Sequence, residues 1–590
     1  MRLAGTKLAA NHQYRGFGDQ LYDLSGQRPS LDLNFAGSKS LVDATTGQNL
    51  VTFTRASSGT FVGSDGLIKT ATTNLLLRSE EFDNASWTKT RSSVTADAIT
   101  APNGTTTADT LIEDSSASAT HFISQGVSIT SGTNYAFSVF IKRASGSRNV
   151  NLRWSGGFDG GNMTVDLTTG AVTASSAIQN PSATAFSNGW WRVSFRQAAT
   201  STGTFGPQIF LHDGTGISYT GNGTSGVYLW GAQLEQSSTV GEYIPTTSTI
   251  NSAPRFDHNP TTGESLGLLV EEQRTNLAFP SNMPTSVVQT TTGNMQANGA
   301  TQITSGVPAP DSSTNGFTVS GASATTNSSG SNNVRILSVM AAAGTHTVSM
   351  WIKTNSSSTT VTIRDATTST GIGFVTTSSW TRITATFNNT SAGNIILLST
   401  SGTAFDCFGV QVESGSFPTS YIPTTTATVT RSADVVSITG ANFSSWYRQD
   451  EGTVFSDCVS TNAATQILVN IGATAANTGS SSITIASNLS SSQKRVRVRD
   501  AASVDQASLA LGASSSGSRT RIAAAIKADD FAASLDGGAA LTDTTGTVPT
   551  VALMEIGSAP SGVSLGTQLH RRLTYWPQRL ANEVLQRITQ

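Results

Sequence analysis

Apolar and polar residues alternate along this chain in short runs, one after another, with turn-forming clusters between them. Leu31-Asp32-Leu33-Asn34-Phe35 and Val51-Thr52-Phe53-Thr54 alternate cleanly, and Ser64-Asp65-Gly66 ahead of Leu67-Ile68 is a hairpin signal. The runs 136–142, 191–195 and 226–230 each predict a strand, as do 451–456, 494–499 and 521–527. Gly, Asn, Asp and Ser fill the gaps, which is how a β-sandwich is written in sequence. Leu580 to Ile588 has helical spacing instead and predicts a short terminal helix.

A long stretch of this pattern occurs twice. Leu229-Trp230-Gly231-Ala232-Gln233-Leu234-Glu235 is followed by Tyr243-Ile244-Pro245-Thr246-Thr247. Cys407-Phe408-Gly409-Val410-Gln411-Val412-Glu413 is followed by Tyr421-Ile422-Pro423-Thr424-Thr425. Phe140-Ile141-Lys142 answers Trp351-Ile352-Lys353, Trp190 answers Trp380, and each copy opens on Thr-Asn-Leu, at Thr73 and Thr275. A repeat of well over a hundred residues is a duplicated domain and not a solenoid unit. The pattern divides the chain into an N-terminal arm (1–30), a small β region (31–72), a first sandwich (73–248), a connector (249–274), a second sandwich (275–426) and a third (427–590). The first copy is longer: 48 residues separate Lys142 from Trp190, against 27 from Lys353 to Trp380, and the surplus is placed around Trp154 and Met163 to Val172. The expected fold is all-β, with tandem sandwiches joined by short connectors, a non-globular N-terminal arm and a short C-terminal helix.

Composition narrows the function. Only 12% of the 590 residues are charged, while Ser and Thr exceed a quarter, so hydroxyls and amides solvate the surface. A formal net charge of −2 leaves no basic footprint for nucleic acid. Two cysteines, Cys407 and Cys458, exclude a disulfide framework and read as small core residues. No run resembles a signal peptide or could span a bilayer, so synthesis in a cytoplasm and exit by lysis are expected.

Catalytic patterns are missing from the sequence. The six histidines (His12, His121, His212, His258, His346, His570) show neither metal-ligand spacing nor a nucleophile-elbow context. Glu80-Glu81, Glu271-Glu272 and Asp529-Asp530 are adjacent acids, but neighbours on a strand face opposite sides and do not aim at one bond. Glu80-Glu81-Phe82-Asp83-Asn84 is rich enough in oxygen to suggest a structural Ca²⁺; no other cofactor is expected. Gln233/Glu235 and Gln411/Glu413 recur in the same slots and are read as bonding the chain that enters at Tyr243 and Tyr421. Aromatic rings can cover the apolar face of a sugar while Asn, Asp and Gln take its hydroxyls. Trp154 and Trp191, with Asp159 and Asp213, are the candidate ligand residues, weighed against the plainer reading that they pack in a core.

Several segments carry a resemblance. Phe53-Thr54-Arg55-Ala56-Ser57, Asp65-Gly66-Leu67-Ile68 and the long string from Pro254 to Leu277 resemble parts of tailed-bacteriophage fibre and spike proteins. Each repeat resembles a carbohydrate-binding-module jelly roll, and the segment around Leu573–Leu580 is similar to concanavalin A/laminin-G-like sandwiches. The resemblance implies a homotrimeric virion appendage on tail or head, held to other phage proteins by its N-terminal arm and binding host-surface polysaccharide without cleaving it. With no run long enough to span a bilayer, no membrane insertion is expected. A structural decoration protein and a glycan hydrolase are the alternatives.

Overall fold

The computed structural model describes residues 18–282, 295–323, 332–340, 343–399, 401–460, 466–474, 479–489, 492–557 and 566–590. They are β-strands in antiparallel sheets with four short helices, and they divide into two compact units. One unit comprises 55–58 and 71–253; the other comprises the remainder. Among the described residues no helix is long and apolar enough to cross a membrane.

The first unit is a jelly roll of two six-stranded sheets. One runs in the order Gln179–Ala185, Trp191–Ala198, Asn134–Arg143, Gly226–Glu235, Ala108–Glu113, Ser92–Ile99; the other runs Val172–Ala174, Met163–Val165, Asn149–Trp154, Pro207–His212, Phe122–Ser124, Thr88–Thr90. Alternation sends Val150, Leu152, Ile209, Leu211, Val193 and Phe195 into a common core. Each such side chain contributes about 1.5–3 kcal/mol on burial.

The second repeat has the same strand order with five strands in each sheet. Gly316–Ser320, Phe405–Ser414, Gly344–Thr354 and Thr381–Asn389 are neighbours in one sheet. Asn333–Met340, Gly393–Ser399, Thr360–Asp365 and Gly371–Val375 are neighbours in the other. Both repeats are therefore jelly rolls. The surplus of the first copy is the pair of edge strands Val172–Ala174 and Gln179–Ala185. Trp154 lies outside that surplus, because Asn149–Trp154 corresponds to Thr360–Asp365 residue for residue.

The signature both repeats share closes the sandwich. Asn74 Nδ2 donates to the carbonyls of Ala232 and Ile244, and its Oδ1 accepts from the N–H groups of Leu76 and Leu234. Asn276 does the same with Val410, Ile422, Ala278 and Val412. Gln233 Oε1 accepts from Ile244 N, and Gln411 Oε1 from Ile422 N, both at 2.6 Å, so the recurring Gln does bind the Tyr-Ile-Pro segment. Gly231 (φ 61°) and Gly409 (φ 66°) sit at a bulge in each copy. A Cβ there would lie 3.1 Å from Phe140 in one copy and 3.0 Å from Trp351 in the other.

The third sandwich, within the second unit, recruits strands from far along the chain. Leu31–Leu33 and Ser265–Glu271 both pair with Thr567–Trp576, and Thr52–Thr54 pairs with Val435–Thr439. The strands of 31–54 and the connector thus complete its two sheets. Residues 1–17 of the expected arm lie outside the described residues. From Gly18 the segment is not an arm: Gly18–Ser25 is a helix whose Leu21 packs with Leu580, Leu585 and Ile588 at the C-terminal helix, Asn582–Ile588. Tyr22 donates to Asp32, and Trp576 Nε1 donates to the Gln27 carbonyl. Cys407 and Cys458 are buried and free.

The connector string that begins at Pro254 forms a buried ionic joint in the second unit. Arg255 pairs with Glu271 at 2.8 Å and Asp434 at 2.5 Å, while Glu271 also accepts from Ser420 N and Oγ and faces Arg431. Burial opposes the Glu271 charge, but Arg431 and Arg255 outweigh it and hold its carboxyl down at about 2. Asp257 accepts from Val62 N; burial, reinforced by Glu271, raises its carboxyl to about 6.

Candidate functional site

Strand alternation assigns an outward row to the second sheet of the first jelly roll. Val150, Leu152 and Trp154 point into the core, so Asn149, Asn151 and Arg153 point away from it. On the next strand Ile209 and Leu211 are core, leaving Gln208, Phe210 and His212 outside. The register then aligns them across the sheet. Thr164, Asn151, Phe210, Phe122 and Thr90 form one row; Arg153, Gln208 and Ser124 form the next.

The centre of this face is aromatic. Phe122 and Phe210 stack with centroids 4.3 Å apart, and the Arg153 guanidinium lies 4.1 Å from the Phe210 centroid. Phe210 is only 1% exposed beneath this cover, while Phe122 is half-buried. Polar groups frame the rings. Asn151 Nδ2 donates to Asn162 Oδ1 at 3.0 Å and Thr164 Oγ1 at 2.7 Å, whereas its Oδ1, in a side chain 5% exposed, has no partner among the described residues. A buried acceptor left unpaired costs about 1–3 kcal/mol, so a donor from a ligand or water is favoured there. Arg153 faces no carboxylate among the described residues, and burial alone pulls its pKa below the usual arginine value. Burial also lowers His212, against the opposing charge of Asp213.

The four residues expected from sequence do not converge here. Trp154, 7% exposed, stacks on Phe158 at 4.1 Å and meets Phe195 edge-on in the core. Its parity with Val150 and Leu152 turns it inward, so it offers no ring to a ligand, and the reading that it packs in a core describes it. Trp191 shares parity with Val193 and Phe195, and covers the core edge while its Nε1 donates to the Leu167 carbonyl at 3.1 Å. Trp190 is on the opposite face, buried with Phe140 and Trp230. Asp213 caps its own turn, accepting from Thr215 and Gly216. It follows His212, which pairs with Asn149, so five residues of strand, about 17 Å, separate it from Trp154. Asp159 is exposed in the glycine-rich loop beyond Trp154.

The site lies one residue away from two of the positions expected from sequence. Arg153 adjoins Trp154 and His212 adjoins Asp213, and alternation applied to Asn149-Val150-Asn151-Leu152-Arg153-Trp154 separates the two faces. Phe210 was harder to see, because Ile209-Phe210-Leu211 reads as one apolar run.

The acidic doublets are engaged separately. Glu80 accepts from Tyr243 and Glu81 pairs with Arg78; Glu271 lies in the buried joint and Glu272 pairs with Arg274; Asp529 accepts from Gly546 N and Asp530 pairs with Arg579. Among the described residues no three or more His, Cys, Asp or Glu side chains gather as a metal-ligand group.

No family model and no curated protein matches this chain. Among solved structures it is similar to the N-terminal CBM22-1–CBM22-2 tandem of Paenibacillus barcinonensis Xyn10C, at 12% identity over 59% of this chain and 98% of that one, TM-score 0.21. It is also similar to the Ruminococcus gnavus IT-sialidase CBM40 bound to α2,3-sialyllactose, at 13% identity over 24% and 83%, TM-score 0.20. Trypanosoma rangeli sialidase aligns at 12% identity over 26% and 25%, TM-score 0.21. At such scores the likenesses say nothing of ligand, and the sandwich architecture rests on the strands themselves.

Proposed function

We propose that this chain is a non-catalytic, glycan-binding appendage of a tailed-phage particle, with the outward face of the first jelly roll as its sugar site. The carrying observation is the row Asn151–Phe210–Phe122 with Arg153 over the ring. It supplies an aromatic platform, an unmatched acceptor and a multidentate donor within two strand spacings. Polysaccharide ligands need this mixture, because each ring has apolar C–H faces and a rim of hydroxyls. Gln208 and Ser124 extend the polar rim along the next row. The fibre assignment rests on the segments from Phe53 to Ile68 and Pro254 to Leu277, whose Arg255, Asp257 and Glu271 build the ionic joint. Homotrimerisation and display on the virion surface belong to the same reading, and display in several copies would raise a weak single-site affinity through multivalency.

The test is retention of the full chain on immobilised host polysaccharide, followed by Asn151→Ala and Phe210→Ala. Loss of retention in both, with unchanged far-UV circular dichroism, is expected. Retention unaffected by either variant places the ligand elsewhere, and release of shortened polysaccharide during incubation overturns the non-catalytic part.

A further inference from the structure

The site's unpaired arginine says more about its ligand than sugar binding alone requires. Each buried or half-buried guanidinium elsewhere in the first jelly roll has a polar partner: Arg148 holds Glu113 through two bonds of 2.6 Å, Arg192 reaches Ser138 and the Gly241 carbonyl, Arg143 reaches Asn149, Arg196 reaches Asn134 and Arg78 pairs with Glu81. Among the described residues Arg153 has no carboxylate or hydrogen-bond partner, and its guanidinium lies over the Phe210 ring. A neutral-sugar site could use Asn, Gln and Ser, as the neighbouring positions do, without the cost of part-burying a cation. A guanidinium held flat by a ring has its N–H edges fixed, which suits the planar, bidentate geometry of a carboxylate.

We propose that the first jelly roll selects acidic sugars, with Arg153 receiving the ligand's carboxylate and the Asn151 Oδ1 accepting a hydroxyl proton from the same residue. Asn151 and Arg153 are two apart on one strand, about 7 Å, the width of one pyranose ring. The ring's apolar face then meets the half-buried Phe122, next to Phe210 in the same row. Gln208, opposite Arg153, is left for the glycosidic neighbour. With a formal net charge of −2 the chain offers little general attraction for polyanions, so preference for acid must come from this local cation.

The inference rests on the glycan-binding reading, and titration calorimetry of the full chain separates the two. The probes are oligogalacturonate and oligosialic acid, each beside its carboxyl-reduced counterpart. Tighter binding of an acidic probe than of its reduced form is expected, and Arg153→Gln should cost the acidic probe about tenfold or more while leaving the reduced form unchanged. The two acidic probes distinguish a uronic from a nonulosonic carboxylate. Should Arg153→Gln lower the thermal midpoint, Arg153→Lys decides instead: it keeps the charge, loses the bidentate fork, and should retain weaker, more salt-sensitive acid binding. Equal affinity for acidic and reduced probes, or an acid preference indifferent to both substitutions, overturns the inference and leaves glycan binding standing. Absence of binding to all four probes overturns the inference, and loss of retention on host polysaccharide as well overturns the glycan-binding reading.

Discussion

Two faces built on the same frame have been filled differently. In the first jelly roll the outward positions of Asn149–Trp154 are Asn149, Asn151 and Arg153; in the second, Thr360, Thr362 and Arg364 hold the same places. Across the register, Phe210 becomes Leu398, Gln208 becomes Ile396, Phe122 becomes Asn333 and Ser124 becomes Arg335. The aromatic pair exists only in the first copy. The closing residues are meanwhile identical in kind and share their principal bonds: Asn74 and Asn276, Ser79 and Ser281, Gln233 and Gln411, Tyr243 and Tyr421. Residues that hold the sandwich shut have stayed; of those that would read a ligand the arginine has stayed, as Arg364, while Asn151, Phe210, Phe122 and Gln208 have all changed. The repeat that announces the fold in the sequence is thus uninformative about the site.

The strongest way to break this comparison is to remove the shared asparagines. Asn74→Ala and Asn276→Ala each strand two carbonyls and two N–H groups in a buried place, and about 3 kcal/mol or more of stability should go in either case. Calorimetry should register both losses. Sugar retention should vanish only for Asn74→Ala; its disappearance in Asn276→Ala alone would move the site to the second copy.

Charge burial gives a second contrast, within the unit that holds the second jelly roll. Asp257 is raised in the folded state to about 6, so it binds its proton more tightly than in the unfolded chain. Its stabilising contribution is complete below the unfolded pKa near 4 and is lost as pH climbs through 6. Glu271, held at about 2, acts oppositely: its contribution is present above pH 4 and drains away toward pH 2. Asp257→Asn should therefore flatten the fall in thermal midpoint between pH 4 and 6, a change of up to about 3 kcal/mol. Glu271→Gln should flatten the rise between pH 2 and 4. Unaltered profiles would mean that the joint is not charged as drawn.

Phe210→Leu sharpens the comparison at its centre by installing the residue of the second copy. Sugar affinity should fall about tenfold, equivalent to about 1.4 kcal/mol, since the stacked partner of Phe122 and the support of Arg153 both go. Stability should change by only about 1 kcal/mol. Unchanged affinity would detach the ring pair from binding.

Much of the fold was legible because strands and turns announce themselves locally. The other alternating runs, the duplicated Tyr-Ile-Pro ending and the terminal helix are where the pattern puts them, whereas the run from Leu31 ends its strand at Leu33 and Phe35 opens a short helix. What escaped is non-local. Leu31–Leu33 and Ser265–Glu271 meet on one edge of Thr567–Trp576 across more than 500 and nearly 300 residues, and no window of sequence carries that pairing. The site was half legible: the parity of Asn151 and Arg153 is on the page, but Phe122 and Phe210 come together only through a register between strands more than 80 residues apart.

Trp154 supplies the smallest effect and the finest discrimination. A tryptophan beside a glycine-rich loop is the obvious sugar platform, and its indole Nε1 is buried without a partner among the described residues. If it served a ligand, Trp154→Phe would weaken sugar binding as much as Phe210→Leu does. Its inward parity and its stack on Phe158 make it a core ring instead. Trp154→Phe then removes an unsatisfied N–H along with some packing volume, two terms of opposite sign, and should shift stability by less than about 1.5 kcal/mol. Sugar affinity should stay within twofold of the unaltered chain. Since Trp154 and Arg153 are adjacent, opposite outcomes at the two positions would show that the strand's alternation, and not proximity along the chain, decides which residues meet the ligand.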